Sequence, residues 1–166
     1  MIGDRWGVSD AEVAAPYPCD DLVTRPALQA WRGVDVAAPP ERVWPWVAQL
    51  RVAPYSYDWV DNGGRRSPRR LLDLPEPKVG DPFTSTRGRP IGRLLAVEPG
   101  RSLTGEVLGA VMTYVVAPVP GRPGRSRLLL KVVMETSRPV AVLVTLGDLV
   151  MARKQLLTWR DLAEGR

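Results

Sequence analysis

The sequence predicts an α+β fold in which a curved antiparallel sheet wraps one long C-terminal helix. Three observations carry this reading. An alternating segment at residues 31–37 leads into two short helical segments, strand-like segments with hairpin punctuation fill residues 81–135, and a helical stretch runs from Pro139 to about Glu164. The chain of 166 residues is the size of one domain and can bury a single core. Its 45% hydrophobic and 25% charged residues exclude a disordered chain.

Residues 1–30 read as an N-terminal arm and residues 31–166 as the body. In the arm, Ser9-Asp10-Ala11-Glu12 forms a capping box, which starts a short helix ending before Pro16. Pro16, Pro18 and Pro26 then hold the path extended, and Trp6, Tyr17 and Leu22 are expected to pin it to the body. The first strand of the body stops at Pro39-Pro40. Proline suits a first helical turn, and Glu41 complements the positive end of the helix dipole. Next comes a helix over 41–50, with Val43, Val47 and Leu50 on one face and Pro45 as a bend. A second short helix is expected over 55–60, closed by Asn62-Gly63-Gly64, and residues 65–78 form a loop.

Strands are expected over 81–86, 91–98, 102–108, 111–117 and 127–135, with turns at Pro99-Gly100, Leu108-Gly109 and the Pro/Gly segment 120–124. In the last strand Leu128, Leu130, Val132 and Met134 share one face. Arg127, Lys131 and Glu135 share the other, which is expected to be wet. The final helix, 139–164, is apolar nearly all round between Val140 and Met151, so that stretch must be covered on several sides or line a cavity.

Composition excludes several chemistries. Without a histidine the chain has no Ser–His or Cys–His catalysis and no histidine metal site. The single cysteine, Cys19, forms no intrachain disulfide. Asp20 and Asp21 beside it oppose a thiolate, so it reads as a spectator. Neither a metal nor a cofactor is expected. The net charge of +5 is nearly all arginine, the only lysines being Lys78, Lys131 and Lys154, which fits GC-rich codon usage better than a specific nucleic-acid partner. The start, Met1-Ile2-Gly3-Asp4-Arg5-Trp6, is not a signal peptide, and the longest apolar stretch falls short of the roughly 20 residues of a membrane span. A cytoplasmic protein, monomer or homodimer, is expected.

The stretch Ala37-Ala38-Pro39-Pro40-Glu41-Arg42-Val43-Trp44-Pro45-Trp46 resembles the entry to the first helix in the SRPBCC (START-like) superfamily. Tyr55-Ser56-Tyr57-Asp58-Trp59 looks like the next segment in many actinobacterial members. Val79-Gly80-Asp81, Glu98-Pro99-Gly100-Arg101 and the final helix fall in matching order, so the resemblance spans about residues 31–164. It implies a helix-grip fold, with a hydrophobic cavity between sheet and C-terminal helix. Members include lipid-transfer domains, plant hormone receptors, polyketide cyclases and chaperone activators, so the resemblance implies a cavity without naming its ligand or reaction.

Several residues are candidates for that cavity. Tyr55, Tyr57 and Trp59 carry apolar bodies, two with polar tips, that suit the rim of a pocket, or else pack their helix on the sheet while Asp58 caps it or pairs with arginine. Met112, Tyr114, Leu128, Leu130, Val132 and Met134 are expected to floor the cavity, and Leu143, Leu146 and Val150 to roof it. Trp44 and Trp46 read as core. Glu106, Asp148, Arg93 and Lys154 could reach the cavity, where a carboxylate would be pushed up in pKa and serve as acid or base, although no catalytic residue is assigned. The run Arg65-Arg66-Ser67-Pro68-Arg69-Arg70 could meet phosphate, acidic lipid or RNA, but reads first as an exposed, mobile loop. The expected function is non-enzymatic binding of a small hydrophobic or aromatic molecule, lipid- or polyketide-like. A cyclase or dehydratase type of enzyme and a protein-interaction module are the alternatives. Purely apolar walls would favour the binder, two convergent ionisable groups the enzyme, and a filled cavity beside an exposed apolar patch the interaction module.

Overall fold

The computed structural model describes residues 3–166, the side chains of Arg138 and Leu143 aside. Its elements run β1 (Arg5–Trp6), α1 (Asp10–Ala14), β2 (Leu28–Val36), α2 (Pro40–Ala48), α3 (Asp58–Asp61), β3 (Thr84–Thr86), β4 (Arg89–Ile91), β5 (Arg93–Glu98), β6 (Ser102–Val107), β7 (Ala110–Pro118), β8 (Ser126–Met134) and α4 (Arg138–Glu164). Six strands form the main sheet in the order β1-β2-β8-β7-β6-β5. Every pairing in it is antiparallel except the short parallel contact of β1 with β2. The sheet curves around α4, which is the helix-grip architecture.

Local sequence explains most boundaries. Ser9 and Glu12 cap α1 reciprocally, as the capping box requires. Leu108 and Gly109, at φ 51° and 81°, make the two-residue turn from β6 to β7. The expected strand over 91–98 breaks at Gly92, where a Cβ would lie 2.2 Å from the Glu106 carbonyl oxygen. Residues before the break leave the main sheet, and β4 pairs with β3 across the Arg87-Gly88 turn in a sheet of its own. The stretch expected to continue one sheet from residue 81 is therefore split.

The core lies between the concave face and α4. Leu28, Ala30, Val34 and Val36 of β2 are buried on that face beside Leu128, Leu130 and Val132 of β8. From α4, Ala141, Thr145, Ala152, Leu156, Trp159 and Ala163 face inward at helical spacing. Trp44 and Trp46 are buried in the same core, as expected.

The convex face departs from the expectation of a wet surface. Tyr17 and Cys19 of the arm bury Val111, Leu129 and Val133. Lys131 is buried beneath them, paired with Asp20 and with its ammonium 5.3 Å from the Tyr17 ring centroid and 4.9 Å from that of Trp31. Leu129 and Val133 supply the reason, since β8 is apolar on both faces and needs a second cover. Trp6 and Tyr17 do pin the arm, whereas Leu22 is exposed. Among the described residues no helix is long and apolar enough to cross a membrane.

Candidate functional site

A cleft of about 140 Å³ opens between the sheet and the middle of α4. From β7, Met112 and Tyr114 point inward because residues two apart share a strand face. From α4, Asp148, Met151, Ala152 and Gln155 line it at helical spacing. Phe83 closes one side, seated over Gly105, where a Cβ would lie 2.1 Å from its ring. Ser56 and Asp61, at either end of the short α3 segment, complete the wall.

The polar groups of the cleft are held in place. Strand β2 aims Arg32 inward between Ala30 and Val34, and the side chain is fully buried. Its Nη2 lies 3.0 Å from Asp148 Oδ2, while Nη1 donates to the Asp4 and Trp31 carbonyls at 2.8 and 2.9 Å. Burial pushes the Asp148 carboxyl up to about 6 despite the opposing pull of Arg32. Burial likewise lowers Arg32, with Asp148 opposing it, so desolvation outweighs pairing for both partners. Burial raises Asp61 as well, against a hydrogen bond from Ser56, and its Oδ1 is buried without a hydrogen-bond partner. The Tyr114 hydroxyl is raised by burial and donates to Gln155 Oε1 at 2.6 Å. Gln155 is fixed in turn by donating to the Pro54 carbonyl at 2.6 Å.

The arrangement is thus a largely apolar slot with a tethered amide, a phenol and two carboxyls of raised pKa. Asp148, pushed up to about 6, can hold a proton in the range where general acids and bases work. Among the described residues no group of three or more His, Cys, Asp or Glu side chains is placed to hold a metal ion.

No protein-family model matches this sequence. No curated protein matches it either. Solved structures do match its fold. A protein from Mesorhizobium loti superposes with a TM-score of 0.54 at 17% identity, over 82% of this chain and 97% of that one. One from Rhodobacter sphaeroides gives 0.54 at 18% identity, over 84% and 93%. One from Arthrobacter aurescens gives 0.53 at 16% identity, over 84% and 88%. At such identities the likeness is one of fold alone.

The residues expected at the cavity separate into groups. Met112 and Tyr114 line the cleft. Leu128, Leu130 and Val132 are packed core beneath α4, and Met134 is partly buried against that core. Tyr55 is buried with its ring 5.9 Å from that of Trp159, and its hydroxyl, pushed up by burial to about 12, accepts from Gln49. Tyr57 lies in an outer groove beside α4 with Leu149, Val150 and Leu157. Three residues need correction. Trp59 is 77% exposed, and Leu146 and Val150 are 44% and 53% exposed, on the outer side of α4 rather than in the roof. The apolar run of α4 masked its orientation, and the inner face is set instead by its small and polar members. The Leu143 side chain lies outside the described residues. Among the ionisable candidates Asp148 reaches the cleft and Lys154 does not, while Arg93 and Glu106 pair with each other at 2.6 Å in solvent. Sequence reasoning missed Arg32, Ser56, Asp61, Phe83 and Gln155. Arg32 was the legible one, since it interrupts the inward apolar register of β2.

Proposed function

We propose that this protein binds a small apolar or aromatic molecule in the cleft between Tyr114 and α4. The carrying observation is the cleft itself, with walls of Phe83, Val107, Met112, Met151 and Ala152 and a few tethered polar groups. A cavity of about 150 Å³ accepts a benzene-sized ring, so a ring or a short branched chain is the natural occupant here. The sequence resemblance to the SRPBCC superfamily supports the same reading, because its members use this cavity. A second reading, a cyclase or dehydratase type of enzyme, draws on one specific observation. Asp61 and Asp148 both line the cleft with raised pKa, and either could move a proton at a molecule positioned there.

Fluorine NMR with fluorobenzene and fluorophenols tests the binding reading. Wild type is expected to bind, and Met112→Trp, which fills the slot, to lose binding while remaining folded. Equal binding by both proteins would move the site elsewhere. For a molecule that binds, Asp148→Asn with unchanged affinity but no turnover would favour the enzyme.

A further inference from the structure

Beside the cleft lies a second pocket of about 280 Å³, between the segment after α3 and the C-terminal half of α4. It is lined by Arg66, Arg69 and Lys154, with the hydroxyl-bearing Ser67 and Thr158 and one carboxylate, Asp58. Three cations face one anion, and that anion is engaged. Asp58 accepts from the Ser67 amide at 2.7 Å and from the Ser67 hydroxyl at 2.5 Å. Among the described residues none of the three cations is in an ion pair.

The basic segment has no regular secondary structure and its four arginines are exposed, as its sequence predicts, but hydrogen bonds tie it to the body. Ser67 is buried, and its Oγ accepts from the Tyr55 amide at 3.1 Å. The Gln49 side chain clamps residues 70–72, donating to the Arg70 carbonyl at 3.0 Å and accepting from the Leu72 amide at 2.8 Å. Tyr55, at φ 56°, takes a left-handed turn that side chains rarely adopt, and this turn delivers Ser56 to the wall of both pockets. The arginines therefore extend from a segment anchored at Ser67 and Arg70, beside the mouth of an apolar slot. Preorganised cations lose less entropy on meeting an anion than cations on a free chain do.

We infer that the ligand is an amphiphile. Its anionic head, a carboxylate or phosphate, sits among Arg66, Arg69 and Lys154, and its apolar ring or chain passes Ser56 into the cleft. The inference rests on the binding function proposed above and specifies the ligand class. A pocket of this volume suits a single head group, not a polymer backbone.

Calorimetry with phenylpropanol, phenylpropionate and phenylpropyl phosphate separates the two claims. The alcohol tests the cleft alone, and the anions test the head pocket. Wild type is expected to bind at least one anion about tenfold or more tighter than the alcohol, a gain that shrinks with added salt. The Arg66→Ala/Arg69→Ala/Lys154→Ala variant, altered only at exposed side chains, should lose that gain and keep its affinity for the alcohol. The stronger of the two anions identifies the head. Equal binding of alcohol and anions by wild type would overturn this inference and leave cleft binding standing. No binding of any of the three would overturn both.

Discussion

Asp148 sits where burial and a counter-charge oppose each other. Its carboxyl titrates near 3.8 in an open chain and near 6 in the folded protein. Between those values the folded form holds a proton that the unfolded form has lost. Its contribution to stability is therefore full below about pH 4 and lost as pH rises through about 6. Asp148→Asn cannot titrate. The melting temperature of wild type minus that of the variant should fall as pH rises across this window and stay level above it, as calorimetric melts in a pH series will show. Parallel profiles would mean that Arg32 holds the carboxyl near its ordinary value. At this scale the sequence was legible for Asp148, a lone carboxylate in an apolar run. Asp61 was not legible, because its burial depends on Ser56, Thr86 and α4, which meet it only in the fold.

Helix α4 shows why an element can be read correctly and its orientation missed. Its start, with Pro139 in the first turn, and its end before Gly165, at φ 79°, are written locally. Its inward face is not, because Val140, Val142, Leu146 and Val150 outweigh the small residues Ala141, Thr145 and Ala152 that the sheet receives. Where the helix meets β2 the approach is close, with Arg32 Nη2 3.4 Å from the Thr145 carbonyl, which favours small side chains there. Val150→Glu should therefore shift stability by no more than about 0.5 kcal/mol, whereas Leu156→Glu, at a fully buried position on the inner face, places an unpaired charge in the core and should unfold the domain. Urea melts of the two variants test the orientation, and a large loss at Val150 would place that residue inside. The strands were legible where glycine-bearing turns punctuate them. The break at Gly92 was not, because its cause is the Glu106 carbonyl on a neighbouring strand.

In the whole molecule the sheet has two covers. The arm closes its convex side through Tyr17, Cys19 and the Lys131–Asp20 pair, and α4 closes the concave side except at the cleft. The two-sided apolarity of residues 128–134 carried the need for both covers in the sequence, but not the identity of the outer one. The gap left between Tyr114 and the middle of α4 is the proposed binding site, and two of the chain's four methionines report on it. Met112 and Met151 line the cleft, while Met134 lies outside its lining. Methyl NMR on protein with isotope-labelled methionine, titrated with phenylpropanol or phenylpropionate, reads its occupancy. Met112 and Met151 are expected to shift together and saturably while Met134 stays in place. Shifts confined to other signals, with Met112 and Met151 unmoved by a ligand that binds, would show that the cleft is not the site.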